Sequence, residues 1–378
     1  MSTTTDPLRL CSVSDIHLYH RRTGTKFIID NLNRYLSNDE VMSGLDLMIV
    51  AGDLFDNALS LASIDVYDIE QWISRLLRLC VRHNVCLRVL EGTPSHDRKQ
   101  SASFVRLNDI LRESTGIAAD LKYQDTLTIE HIERFGINVL YVPDEWHHDT
   151  ADTLIEVKEL LKAHGLQQVD HAVMHGMFDY QAPEISKPHL KHDSAEYLAL
   201  VSGLIFIGHY HTPSSHERIY AQGSFDRLCH NEEHPKGYYQ AQYWSPVNYR
   251  VSFIENKTAK AYVTIDVKGG ELEDDLKRIG KRVVKLADGS HVRLIARSSD
   301  PLSQAIETVK RMWPQHTWSV QLKDDKQDKK IEYDEEVFYP PITINPSTIE
   351  KLVSDRFNPS KLNGAQRELA LMRLREAL

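Results

Sequence analysis

The sequence predicts a mixed α/β sandwich followed by a smaller α+β unit. Three observations carry that expectation. Over the first two hundred residues, short continuous apolar runs alternate with helical patterns, as in a sheet covered on both faces. From about residue 218 the runs become shorter and β-like. After about residue 268 a β–α–β pattern resumes, followed by a charge run and two amphipathic segments.

Taken in order, LRLCSVSD reads as a strand and KFIIDNLNRYL as a helix with apolar residues at helical spacing. LDLMIVAGD is a buried strand, VYDIEQWISRLLRLCVRHN a long amphipathic helix, VCLRVLEG a strand and SFVRLNDILRES a helix. INVLYVPD, TLIEVKELLKAHG and HAVMHG continue the alternation, and GLIFIGHYH closes it. ERIYAQGS, GYYQAQYW, YRVSFIE and KAYVTIDV supply the later β-runs. VRLIAR, PLSQAIETVKRMW and TWSVQLK form the appended β–α–β, in which Trp313 and Trp318 read as small-domain core. KDDKQDKKIEYDEE reads as a solvated linker or loop. STIEKLVSDRF opens with helix-capping residues. In KLNGAQRELALMRLREAL, Leu362, Ala365, Leu369 and Met372 share a stripe that docks on its own domain or on a partner.

The 378 residues, 41% hydrophobic and 26% charged, describe a globular protein with a real core. No run reaches the roughly 18 apolar residues of a membrane span, and MSTTTDPLRL lacks the pattern of a signal peptide. Four cysteines, none in a CxxC pair, favour free thiols in a reducing cytoplasm. A net charge of −9 excludes a nucleic-acid grip through bulk charge, so any such grip must come from metals, local basic loops or a partner.

Five strand-like runs each end in potential metal ligands. The first ends at Asp15 with His17 beyond it, and the second at Asp53. The third leads into Ser95, His96 and Asp97, the fourth ends at His175, and the last ends with His209 and His211. Ligands collect outside the carboxyl ends of strands in α/β sheets. One Asp after a strand is ordinarily a turn or helix cap, but five such groups in order predict a dinuclear metal site. Mixed Asp and His donors suit Mn²⁺, Fe²⁺ or Zn²⁺, and Asp53 is the natural bridging carboxylate. Two ions about 3.5–4 Å apart clamp both oxygens of a phosphoryl transfer. Basic residues near this rim, Arg21 and Arg22 beside His20, and Arg98 with Lys99, read as phosphate-neutralising or as ordinary surface charge.

SDIHLYH, AGDLFDNA, HGMF and IGHYHTP, followed by AQGSFDR and HPKGYY, resemble the SbcD-type (Mre-eleven family) DNA-repair nuclease subunits of the calcineurin-like metallophosphoesterase superfamily. The resemblance is one of motif over residues 8–240 and of architecture beyond. It implies a four-layer α/β/β/α sandwich over residues 1–267 and a β–α–β capping domain over 268–335. It also implies a linker and helices over 336–378 that bind an SbcC-type SMC-like ATPase, and a homodimer through helices between Ser63 and Glu113. By that likeness Asp15, His17, Asp53 and His211 hold one divalent ion, and Asp53, His175 and His209 the other, with Mn²⁺ favoured over Mg²⁺, Fe²⁺ or Zn²⁺.

The third motif departs from the family's glycine, asparagine, histidine, aspartate. Here Gly92-Thr93-Pro94-Ser95-His96-Asp97 is two residues longer and has no Asn. Ser95 is the expected substitute on the second ion, with Thr93 and water as rivals. His96 is the expected acid or transition-state contact, its tautomer fixed and its pKa raised by Asp97. The altered motif fits a phage-encoded variant. The expected function is a Mn²⁺-dependent DNA exo- and endonuclease in end processing, repair or recombination. The alternatives are a phosphatase or phosphodiesterase for small phosphorylated molecules, and a non-catalytic scaffold on the same fold.

Overall fold

The computed structural model describes residues 6–60, 62–181, 190–230, 232–267 and 269–323, all within one compact unit spanning Met1–Asp325. The linker and ATPase-binding helices expected over 336–378, and the end of the expected capping domain over 324–335, lie outside the described residues.

The chain begins with β1 (Leu8–Val13), α1 (Thr25–Tyr35), α2 (Asp39–Met42), β2 (Leu47–Ala51), α3 (Ile64–His83) and β3 (Cys86–Leu90). It continues with α4 (Ser103–Thr115), β4 (Leu121–Gln124), β5 (Thr128–Ile132), β6 (Ile137–Val142) and α5 (Thr150–Ala163). Next come β7 (His171–Phe178), β8 (Lys191–His192), α6 (Ser194–Leu200), β9 (Ile205–His209), β10 (Ser214–His216) and β11 (Ile219–Ala221). The hairpin strands β12 (Gly237–Ser245) and β13 (Asn248–Glu255) follow. β14 (Tyr262–Asp266), α7 (Leu272–Val283), β15 (His291–Arg297), α8 (Pro301–Gln304), α9 (Ile306–Met312) and β16 (Thr317–Lys323) complete the described chain.

One mixed sheet has the order β13-β12-β1-β2-β3-β4 and a second the order β10-β11-β9-β7-β6-β5, with β8 beside β7. Their inner faces meet. Leu10, Leu47, Ile49, Ala51 and Leu90 from the first sheet pack with Val139, Tyr141, Val173 and Phe206 from the second. The alternate residues point outward. Val13, Met48, Val50, Leu87 and Val89 pack on α1, α3 and α4, while Leu140, Val142, Ala172, Met174, Ile205 and Ile207 pack on α5 and α6. This two-sided burial is why the parallel strands read as unbroken apolar runs rather than as alternation.

β14, β15 and β16 form a separate three-stranded parallel sheet. β14, read from sequence as lying before a boundary at residue 267, is therefore the first strand of the small sheet. Trp313 and Trp318 pack against its core, with ring centroids 6.1 Å apart. Of the four cysteines, Cys11, Cys80 and Cys86 are buried and all four are free thiols. Among the described residues no helix is long and apolar enough to cross a membrane.

The strands least visible in the sequence are β4 and β5. The run TIEHI of β5 carries a charge, Glu130, that points between the sheets. Its partner is Arg88 of β3, whose Nε and Nη2 donate to the Glu130 carboxylate at 2.8 and 2.9 Å. Arg88 is 2% exposed and Glu130 5%. The Tyr141 hydroxyl donates to Glu130 at 3.1 Å and Lys122 pairs with it at 2.8 Å. A buried bidentate pair of this kind fixes how one sheet sits on the other, and breaking it strands a charge. Glu130→Ala is expected to lower the unfolding free energy by about 3–5 kcal/mol in chemical denaturation. A loss below about 1 kcal/mol would show that Asp120, 2.9 Å from Arg88 Nη1, suffices as its counter-ion.

Candidate metal centre

Six strands deliver the site. β1, β2 and β3 are parallel in one sheet, and β6, β7 and β9 in the other. Side chains from their carboxyl-terminal halves and following loops meet across the seam. Asp15 follows β1, Asp53 follows β2, the Gly92–Asp97 loop follows β3, and Asp144 follows β6. His175 lies within β7, His209 ends β9, and His211 stands two residues on.

The backbone here is bent in an unusual way. Asp15, His17, Asp53 and His209 have φ of 49°, 51°, 48° and 100°, a region costly for residues with a Cβ and held only when neighbours over-determine it. The neighbours do so. The N–H of Asp15 donates to Gly52 O at 3.1 Å, and those of Ile16 and His17 donate to Asp53 O at 2.9 and 3.1 Å. Both oxygens of the Asp15 carboxylate lie 3.0 Å from the amide of His209, which stitches the two sheets together at the site. Close approach also demands glycine. A Cβ on Gly52, whose φ is +85°, would lie 2.1 Å from His175 Nδ1, and one on Gly92 would lie 2.1 Å from the Asp53 amide nitrogen.

Three groups of side chains bring their donor atoms within 4.8 Å of one another: Asp15 with His17 and His211, His17 with Asp53 and His96, and Asp53 with His175 and His209. His17 and Asp53 are each shared by two groups. His17 Nε2 is 3.1 Å from His211 Nε2 and 3.9 Å from Asp53 Oδ2. His175 Nε2 is 3.3 Å from Asp53 Oδ1.

The imidazoles are oriented from behind. His175 Nδ1 faces the Ala51 carbonyl at 2.7 Å, so Nε2 is the atom offered to the site. That Nε2 is buried without a hydrogen-bond partner. His211 Nδ1 is held by Glu232 at 2.8 Å, and His17 Nδ1 faces Asp56 at 3.3 Å. An orphaned imidazole nitrogen, carboxylates and the absence of thiols from these groups fit a borderline divalent cation.

Burial alone would raise the Asp53 pKa, but the adjoining His175 outweighs it and holds the carboxyl well below the usual range. Burial likewise disfavours a charged His175, yet Asp53 draws its pKa well above the ordinary value. Metal ligation needs the ring neutral and the carboxylate free, so cation binding there would be coupled to pH.

All seven strand-end residues Asp15, His17, Asp53, His96, His175, His209 and His211 converge as the sequence suggested. The third motif does not behave as expected. Ser95 is exposed and only its carbonyl is engaged, by Arg98 Nε at 3.0 Å. Thr93, its rival, is buried, with its hydroxyl 3.2 Å from Asp53 Oδ2. Asp97 does not orient His96. Its carboxylate accepts from the amides of Phe55 and Gly92, each at 2.8 Å, and locks the loop onto the strand end of β2. Burial and the nearby Asp53 raise the Asp97 pKa well above normal.

His96, half-buried, packs edge-on to His17 with centroids 5.2 Å apart. Its pKa is lowered, chiefly by burial, not raised as a carboxylate partner would make it. Arg21 and Arg22 line a cavity of about 480 Å³ together with His20, Asp56, Asn57, Ser95 and His96. Arg98 and Lys99 are not on its wall; Lys99 is engaged with Asp125 at 3.1 Å.

Sequence reading passed over two contributors. Asp144 follows the apolar run INVLYV and carries the same strand-end signal as the chosen residues. Three residues on, His147 lies at the surface, paired with Glu156 at 2.6 Å. The other is the Glu232–Lys236 pair, 2.9 Å apart, which explains the motifs AQGSFDR and HPKGYY. Lys236, 1% exposed, donates to His211 O at 2.9 Å and to Ser224 Oγ at 2.7 Å, and so buttresses the His211 turn.

No family model and no curated protein matches the chain. Among solved structures, the protein TT1561 of Thermus thermophilus is similar at 10% identity, covering 58% of this chain and 90% of its own, with a TM-score of 0.35. A second solved chain shares 13% identity, covering 65% of this chain and 99% of its own, with a TM-score of 0.38. Likeness at this level assigns neither family nor function.

Gly52→Ala forces a methyl group into His175 and is expected to weaken Mn²⁺ binding at least about tenfold in titration calorimetry, the scale of a displaced ligand support. Unchanged affinity would show that the β2 end relaxes freely.

Proposed function

We propose that this chain is a calcineurin-like metallophosphoesterase with a dinuclear divalent-metal centre, and specifically a Mn²⁺-dependent DNA exo/endonuclease subunit of the SbcD type. The observation that carries the reading is that Asp53 belongs to two of the three donor groups, as a bridging carboxylate must. The layering of helices, sheet, sheet and helices around that carboxylate supports the same class.

Asp15, His17, Asp53 and His211 would hold one ion, and Asp53, His175 and His209 the other. When bound, two such ions supply a nucleophilic water at neutral pH and polarise the phosphoryl oxygens. The chain's own side chains do the rest. Glu232 and Asp56 set the direction of His211 and His17. His96, neutral near pH 7 because burial disfavours its charge, offers an N–H to a phosphoryl or leaving oxygen at the edge of the cavity. Arg21 and Arg22 at the cavity wall attract backbone phosphates on a chain whose net charge of −9 would otherwise repel them.

His96→Ala is expected to lower Mn²⁺-dependent cleavage of a DNA duplex or hairpin by about 10²–10⁴-fold, with the circular-dichroism spectrum unchanged. Full turnover without His96 removes it from the mechanism. Turnover of a nucleoside monophosphate with no DNA cleavage would transfer the same centre to a small-molecule phosphoesterase. Absence of bound ion in metal analysis of protein incubated with excess Mn²⁺ would leave a scaffold.

The proposal includes a homodimer through α3 and α4, which leave Ile64, Tyr67, Val105 and Ile110 exposed. Light scattering at tens of micromolar should return twice the chain mass, and a monomer there would refute the dimer. Partnership with an SbcC-type SMC-like ATPase rests on the sequence of residues 336–378.

A further inference from the structure

We propose that Asp144 ligates the second cation, in the position where the resembled family uses an asparagine of its third motif. The inference rests on the two-ion reading above and adds a ligand that the motif pattern does not contain. Asp144 lies just beyond β6, and its Oδ1 accepts the Glu145 amide at 3.0 Å. That bond fixes the carboxylate and leaves Oδ2 turned to the site, 3.0 Å from Thr93 Oγ1 and 3.4 Å from His209 Nδ1.

Thr93 is the hinge of the argument. Its hydroxyl stands between two carboxylates, 3.0 Å from Asp144 Oδ2 and 3.2 Å from Asp53 Oδ2. A hydroxyl has one hydrogen to give, so it satisfies one of these oxygens and leaves the other without a donor from it. A cation satisfies both at once, and the hydroxyl then holds the two carboxylates apart at a fixed spacing. An independent group points to the same place. His175, fully buried, aims an unpartnered Nε2 at Asp53, 3.3 Å from its Oδ1. Asp144 adjoins the Asp53, His175 and His209 group through His209 and Thr93, and as a ligand it would complete a set of two carboxylates and two imidazoles. An amide ligand is neutral, whereas Asp144 brings a negative charge. The second ion would therefore be held by more charge than the family pattern provides, which compensates for the missing asparagine.

The experiment is Mn²⁺ binding to the full chain, counted by calorimetry and by electron paramagnetic resonance of the free ion. The wild type should bind two ions. Asp144→Ala should bind the first ion normally and the second about 10- to 100-fold more weakly, or not at all. Asp144→Asn, which keeps the shape and loses the charge, should fall between them and serves if the alanine variant misfolds. In Mn²⁺-soaked crystals, anomalous scattering should place the second ion about 2.0–2.6 Å from Asp144 Oδ2. Two ions bound with unchanged affinity by both variants would overturn the role of Asp144 and leave the two-ion centre standing. A wild type that binds at most one ion would overturn the two-ion reading, and this inference with it.

Discussion

The carboxylate of Asp53 lies at the seam of two sheets, and nearly every feature of the site is a consequence of holding it there. It is 3% exposed, on a left-handed backbone, with the Thr93 amide donating to one oxygen at 2.6 Å and His175 beside the same oxygen. A buried carboxylate without such partners would protonate, since desolvation opposes its charge. Here the surrounding donors win, and the charge persists where a cation can use it. The same carboxylate ties β2, the β3 loop and β7 together, so the chemistry and the packing share one atom group.

Constraints radiate from that point. Gly52 and Gly92 are required because a Cβ at either would collide with His175 or with Asp53 itself. Asp97 commits its carboxylate to two backbone amides, which holds the third loop against the Asp53 strand end. Asp15 bonds the His209 amide across the sheets. Farther back, the Arg88–Glu130 pair sets the relation of the sheets whose strand ends build the site. Strain at the four positive-φ residues is sustained because each is held by hydrogen bonds from another segment.

The third loop shows how chemistry and support divide between neighbours. His96 and Asp97 are adjacent in sequence, and adjacency suggested a tautomer-fixing pair. In space the aspartate faces the protein interior and the histidine faces the cavity. Successive residues in a tight turn diverge, so a carboxylate next to a histidine in sequence is a poor guide to what that histidine touches. Ser95 and Thr93 illustrate the same point: two residues apart, one exposed and one buried against the acidic cluster.

By itself the sequence determined the mixed α/β class, most strands and helices, and the convergence of Asp15, His17, Asp53, His175, His209 and His211. Continuous apolar runs betray doubly covered strands, and the rule that ligands gather at strand carboxyl ends needs only the order of elements. β5 was hidden because Glu130 breaks its apolar run, and only a cross-sheet arginine makes that charge tolerable. Tertiary structure alone decided the β14 boundary, the inward turn of Asp97, the exposure of Ser95, and the arrival of Asp144 and Glu232 at the site. Those outcomes depend on which way a loop side chain points and on contacts between residues tens of positions apart, and local pattern encodes neither.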